Sequence, residues 1–195
     1  WSSAGQAEAC APYLEGAGVC LRSAQRTGGA LDGAYAGSSR GGESANPYLA
    51  ARVLPALASL HRHTGDARFR AAADRLDAFL RGAERPDGGW PFLVHAQRGP
   101  TVGPVLLGAA AGIEACRARA GYPEVSNPRT MALVMESQGA SGGFATALGF
   151  PGGDPARPDW RDVVPVAAWN ALLLHRLALA ADRAPTSAPA PGDVR

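Results

Sequence analysis

Apolar residues recur along the chain at the spacing of helix faces. Phe69, Ala72, Leu76, Phe79 and Leu80 trace one stripe, and Leu49, Val53, Leu57 and Leu60 another. Both follow the three-and-four rhythm of an amphipathic helix, whereas a half-buried strand would alternate. Start signals agree: Asn46-Pro47 and Asn127-Pro128 each put a capping side chain before a proline at the first helical position, and Asp66, Thr101 and Asp159 are further caps. The pattern predicts helices over 12–25, 46–63, 66–84, 101–119, 128–138 and 160–182. Pro55 should kink the second of these, and Pro165 should kink the last or shift its start.

These helices are organised by a repeat. The segments 20-CLRSAQRTGGALDGAY-35, 79-FLRGAERPDGGW-90 and 133-LVMESQGASGGF-144 each close a helical stretch with Gln25, Glu84 or Gln138. Each then turns through a glycine corner into Tyr35, Trp90 or Phe144, and the central glycines Gly33, Gly88 and Gly142 lie 55 and 54 residues apart. The following helices align too, Leu60-His61-Arg62 with Leu174-His175-Arg176. A fixed period of this length is the signature of stacked supersecondary units. The reading is an all-α chain of three αα-hairpins, about 12–63, 66–119 and 127–182. They form a single repeat domain over 1–183, followed by a Pro/Ala-rich disordered tail at 184–195.

Composition narrows the classes of function. The 195 residues are 46% hydrophobic and 18% charged, which suits a packed domain. No apolar run reaches the ~20 residues of a membrane span. A net charge of +2 gives no case for nucleic acid or an anionic membrane. All basic side chains are arginine, which we read as codon bias. The chain begins with Trp1 rather than Met, so it is processed, trimmed or renumbered, and no charged-then-apolar leader remains to reveal a signal peptide. A cytoplasmic location is expected. Cys10, Cys20 and Cys116 lack metal-ligand spacing. On one helix Cys10 and Cys20 would stand about 15 Å apart, too far for a disulfide, so free, mostly buried thiols are expected.

The helix ending in glutamine, the Gly-Gly-aromatic corner and the second helix resemble the repeat of protein prenyltransferase β-subunits and of squalene/hopene-type terpenoid cyclases, where it is called the QW motif. Gln25, Glu84 and Gln138 stand at its glutamine position, and Tyr35, Trp90 and Phe144 at its aromatic position. The resemblance covers about residues 12–182 and implies an α/α toroid. A closed ring of this kind takes five or six hairpins, so three imply a half-toroid completed by a second copy, a further domain or a partner chain, a homodimer being the simplest. It also implies that the corner residues are staples between repeats, with Glu84 leaving an amide donor role unfilled.

The chemistry that the resemblance would bring is incomplete. The acidic motifs DxDD and DDxxD are absent, and no Asp/Cys/His set matches a zinc site, so no metal or cofactor is assigned. His61 and His63, two apart on a helix, point to different faces. The long connections, about 26–45, 85–100 and 139–159, gather at the glycine-corner end, where binding groups on a rigid scaffold tend to sit. They supply the candidates. Glu43, His95 and Asp162 are the candidate acid/base residues, and Tyr35, Arg40, Trp90, Arg98, Asp159 and Trp160 the candidate substrate contacts. Three functions are then open: an enzyme or binding domain for an isoprenoid or similar apolar substrate, a carbohydrate-active α/α toroid (lyase, hydrolase or epimerase), and a non-catalytic scaffold for a partner protein.

Overall fold

The computed structural model describes residues 4–36, 42–101, 107–123, 127–136 and 138. The described chain is mostly helical: α1 (Ala4–Ala24), α2 (Pro47–Ala51), α3 (Leu54–Thr64), α4 (Ala67–Ala83), α5 (Leu107–Arg119) and α6 (Pro128–Glu136). Three two-residue strands accompany them, β1 (Ser44–Ala45), β2 (Val94–His95) and β3 (Gly99–Pro100). The strands qualify the all-α expectation. They escape a reading by alternation because each is too short to show a period. The predicted helix 160–182 and the tail lie outside the described residues.

Three of the five expected caps act as the sequence implies. The side chain of Asn46 accepts the Leu49 amide at 3.0 Å, that of Asp66 the Arg68 amide at 2.8 Å, and that of Asn127 the Arg129 amide at 3.0 Å. Pro55 does more than kink the second predicted helix. That helix divides at Arg52–Val53 into α2 and α3, and Pro55 sits in the first turn of α3, where a missing N–H leaves no bond unmade. Helix α1 starts eight residues earlier than expected and carries Pro12 inside it.

Helix α3 lies against both α4 and α5, α5 against α6, and α1 against α3 and α4. Leu54, Leu57, Leu76, Leu80, Ile113 and Val134 are fully buried between them, and Trp90 joins the same core at 1% exposure. The core also holds ions. Arg117 Nε donates to Asp77 Oδ1 at 2.7 Å, and Arg117 Nη1 reaches both Glu114 oxygens at 3.0 Å. All three side chains are almost fully buried, and Arg81 meets Asp77 from the solvent side at 3.1 Å. This network pins α4 to α5. Of the cysteines, Cys116 is buried, and burial raises its thiol pKa. Cys20 is exposed, against the expectation of burial, on a side of α1 that meets no neighbour among the described residues.

Candidate functional site

Two corners are fully described, and they share one geometry. In the first, the Arg26 amide donates to Ala34 O at 2.9 Å, and the Gly33 amide donates back to Arg26 O at 3.0 Å. In the second, the Arg85 amide donates to Gly89 O at 2.8 Å, and the Gly88 amide to Arg85 O at 2.9 Å. The first corner has four more residues, part of them coiled into a 3₁₀ turn at Gly29–Leu31. Both glycines have positive φ, 81° and 86°, a conformation that disfavours any other residue.

Each corner is pressed against the first helix of the next repeat. A Cβ on Gly33 would stand 2.2 Å from Arg75 O, and one on Gly88 would stand 2.2 Å from the Thr130 amide nitrogen. Arg75 and Arg129 are equivalent, each nine residues before Glu84 or Gln138. Each caps the corner docked on it: Arg75 Nη2 donates to Arg26 O at 3.2 Å, and Arg129 Nη1 to Pro86 O at 2.8 Å. Gln25 completes the first joint, its amide donating to Gly33 O at 2.9 Å and to Ala72 O at 2.8 Å. In the second joint the donor comes from the opposite side. The Thr130 hydroxyl lies 3.0 Å from Gly88 O and 2.9 Å from Glu84 Oε1, so it fills the role that Glu84 cannot. The same joint is built twice in register, as a repeat requires.

The long loops follow the corners and meet each other. In the sheet, β1 pairs antiparallel with β2, Ser44 opposite His95 and Ala45 opposite Val94, and β2 pairs with β3. Glu43 O accepts the Ala96 amide at 2.7 Å, the Thr101 amide binds Leu93 O at 2.9 Å, and Arg26 Nη2 ties Gly42 O at 2.8 Å. The first loop is thus joined to the second. Beneath the sheet runs a groove of about 400 Å³, bounded by Gly29, Ala30 and Asp32, by Arg75, Ala78, Phe79, Gly82 and Ala83 of α4, and by Val94 and Pro100. Its walls are largely apolar, with Asp32 and Arg75 as charged groups. The Asp32 carboxylate accepts the Gly28 amide at 2.8 Å, so it also shapes the loop.

The sequence-selected residues fall into three groups. His95 lies on β2, and Glu43 immediately precedes β1. Glu43 is exposed and His95 half-buried, and neither side chain has a hydrogen-bond or ion-pair partner among the described residues. Arg98 is exposed in the β2–β3 turn. Tyr35 and Trp90 are interior, at 8% and 1% exposure, and Trp90 Nε1 donates to Leu80 O at 3.1 Å. The Tyr35 hydroxyl is buried and finds no partner among the described residues, and burial pushes its pKa up to about 12. Arg40, Asp159, Trp160 and Asp162 lie outside the described residues.

A second cavity, of about 520 Å³, lies between α1 and the turn from α3 to α4. Its wall mixes Phe69 and Val19 with Glu15, Arg22, His63, Asp66 and Arg68. Arg22 packs over the Phe69 ring, 5.6 Å from its centroid, and Asp66 is paired with Arg68 at 2.7 Å. That pairing holds the Asp66 carboxyl down at about 2. Among the described residues no group of three or more His, Cys, Asp or Glu side chains is placed to hold a metal ion, and no helix is long and apolar enough to cross a membrane. Sequence reasoning missed the groove residues on α4 and the Asp77–Glu114–Arg117 network. Ala78 and Gly82 carry no chemical signature, and the three charged residues read as solvent-facing until the packing is known. Comparison of the chain with protein-family models, curated proteins and solved structures finds no match.

Proposed function

We propose that the chain is a repeat domain of the prenyltransferase/terpenoid-cyclase toroid type, which holds an isoprenoid or similar apolar molecule in the groove between its first corner and second loop. One observation carries the reading: the groove under the three strands is walled by Ala30, Ala78, Phe79, Ala83, Val94 and Pro100. Its volume of about 400 Å³ falls in the range of small-molecule sites, roughly 300–1,000 Å³. Arg75, with one hydrogen bond to a carbonyl, has further N–H groups for an acidic head group. Asp32 is the one carboxylate on the described wall, so the groove supports binding more directly than acid-initiated conversion. The carbohydrate reading depends on exposed stacking rings, and Tyr35 and Trp90 offer none.

The test is titration of the protein with farnesyl and geranylgeranyl diphosphate, with and without Mg²⁺, followed by product extraction. Binding is expected in the wild type and should weaken at least about tenfold, about 1.4 kcal/mol, in Gly82→Leu and Ala78→Leu, which fill the groove. Absence of binding by the wild-type chain, or equal binding by the filled variants, would remove the reading.

A further inference from the structure

The joint occurs twice between repeats, and its helix side exists a third time. Counting back from Gln25, Glu84 and Gln138 superimposes α1, α4 and α6, so Tyr13, Gly16, Ala17, Cys20 and Ala24 of α1 occupy the positions of Ala72, Arg75, Leu76, Phe79 and Ala83 of α4. On α4 this face receives the first corner, and four of its five residues are at most 7% exposed. On α1 all five are exposed, Tyr13 at 81%, and a Cβ on Gly16 would meet nothing within 4 Å. The opposite side of α1 is the one that faces its own chain: Gly18 abuts the Phe69 ring and Arg22 packs over it. Helix α1 therefore presents an apolar face in the register at which a glycine corner docks. The first and second corners are already seated on α4 and α6.

We propose that this face of α1 receives the third corner, residues 138–144, of a second copy of this chain. That segment, QGASGGF, repeats the glutamine, glycine and aromatic positions of the two seated corners. A two-fold pair would use the contact twice, α1 of each copy taking the corner of the other, which satisfies both surfaces at once. Gly16 suits the role, since a residue without Cβ lets a backbone corner approach the helix closely. The proposal rests on the two observed joints and is independent of what the groove binds.

The test is sedimentation velocity with the full chain, using circular dichroism to confirm that each variant keeps its helices. The wild type should sediment as a dimer that dissociates on dilution. Ala17→Arg and Gly16→Leu, both on an exposed helix surface, should sediment as monomers, whereas Leu49→Arg on the exposed side of α2 should leave the dimer intact. Gly142→Leu should also be monomeric, with Gly142→Ala as its substitute if leucine abolishes folding. Mixing Gly16→Leu with the Gly142 variant should restore association, because one of the two joints is then wild type on both sides. A monomeric wild type, a dimer indifferent to Ala17→Arg, or a mixture that stays monomeric would each overturn the proposal. A Gly142 variant that dimerises like the wild type would do the same by assigning α1 another occupant.

Discussion

The Gln25 side chain donates to the carbonyl of Ala72, 47 residues further along the chain, at 2.8 Å. The same amide nitrogen serves Gly33 O at 2.9 Å, so one residue fastens its own corner to the next repeat. Gln25→Ala leaves Gly33 O without this buried donor and should destabilise the chain by about 1–3 kcal/mol in urea unfolding. Thr130→Val should act similarly on the second joint. The two residues share no partner, so the double variant should lose the sum within about 0.5 kcal/mol. A much smaller combined loss would mean that the joints do not act as separate staples.

Glycine has opposite consequences at two positions six residues apart. Gly88 has φ of 86° and a Thr130 backbone atom where its Cβ would go. Gly88→Ala should lose about 3 kcal/mol or more, from strain and overlap together. Gly82 is helical, in α4, with open space around its missing Cβ. Gly82→Ala should gain about 0.5–1 kcal/mol by restricting the unfolded chain. Thermal unfolding followed by circular dichroism distinguishes the two, and equal shifts of the two variants would contradict the joint geometry.

Arg117 joins two buried carboxylates, Asp77 and Glu114, contributed by different helices. Arg117→Leu removes the guanidinium and leaves those charges in the interior, which should lower stability by about 3–5 kcal/mol. Replacing all three by apolar residues of similar size should recover much of that loss, because charges no longer buried need no partner. Denaturant midpoints for the single and triple variants check both signs.

The Tyr35 hydroxyl predicts a response to alkali. Its pKa is raised from 10.0 to about 12 by burial, so the folded state prefers the neutral phenol. The unfolded chain ionises first. The stability from this group is therefore complete below pH ~10 and lost as pH rises toward about 12. Tyr35→Phe should abolish that part of the alkaline decline. It should also gain about 1 kcal/mol near neutrality, since it removes a buried hydroxyl that has no partner among the described residues. A large loss on this substitution would show that the hydroxyl is engaged.

The helices were legible because each depends on nearby residues: the caps at Asn46, Asp66 and Asn127 and the stripe from Phe69 to Leu80 are local facts. The corners were legible as a repeat, and their register on the following helices confirms that Gly33 and Gly88 are equivalent. The break before Pro55 was legible as a proline effect but not in its form, since a kink and a fresh helix start differ only in how neighbouring helices pack. The strands could not be read, because the pairing of Ser44 with His95 joins loops 51 residues apart and leaves no periodic trace in either. The candidate site was legible as an edge of the molecule rather than as a set of groups. Glu43 and His95 do not pair: the Glu43 carbonyl bonds Ala96 and His95 stands opposite Ser44, while the groove is walled by Ala78, Gly82 and Ala83, residues whose types announce nothing. The donor opposite Glu84 was hidden for a similar reason, a threonine in another repeat.

The pairing of β1 with β2, and of β2 with β3, has one more effect. Two segments that would otherwise fray separately share a ladder of main-chain bonds, so their amides should exchange with deuterium as a set. A molecule gripped by either one would slow exchange in both, and the rim would register occupancy across a repeat boundary without any helix having to move.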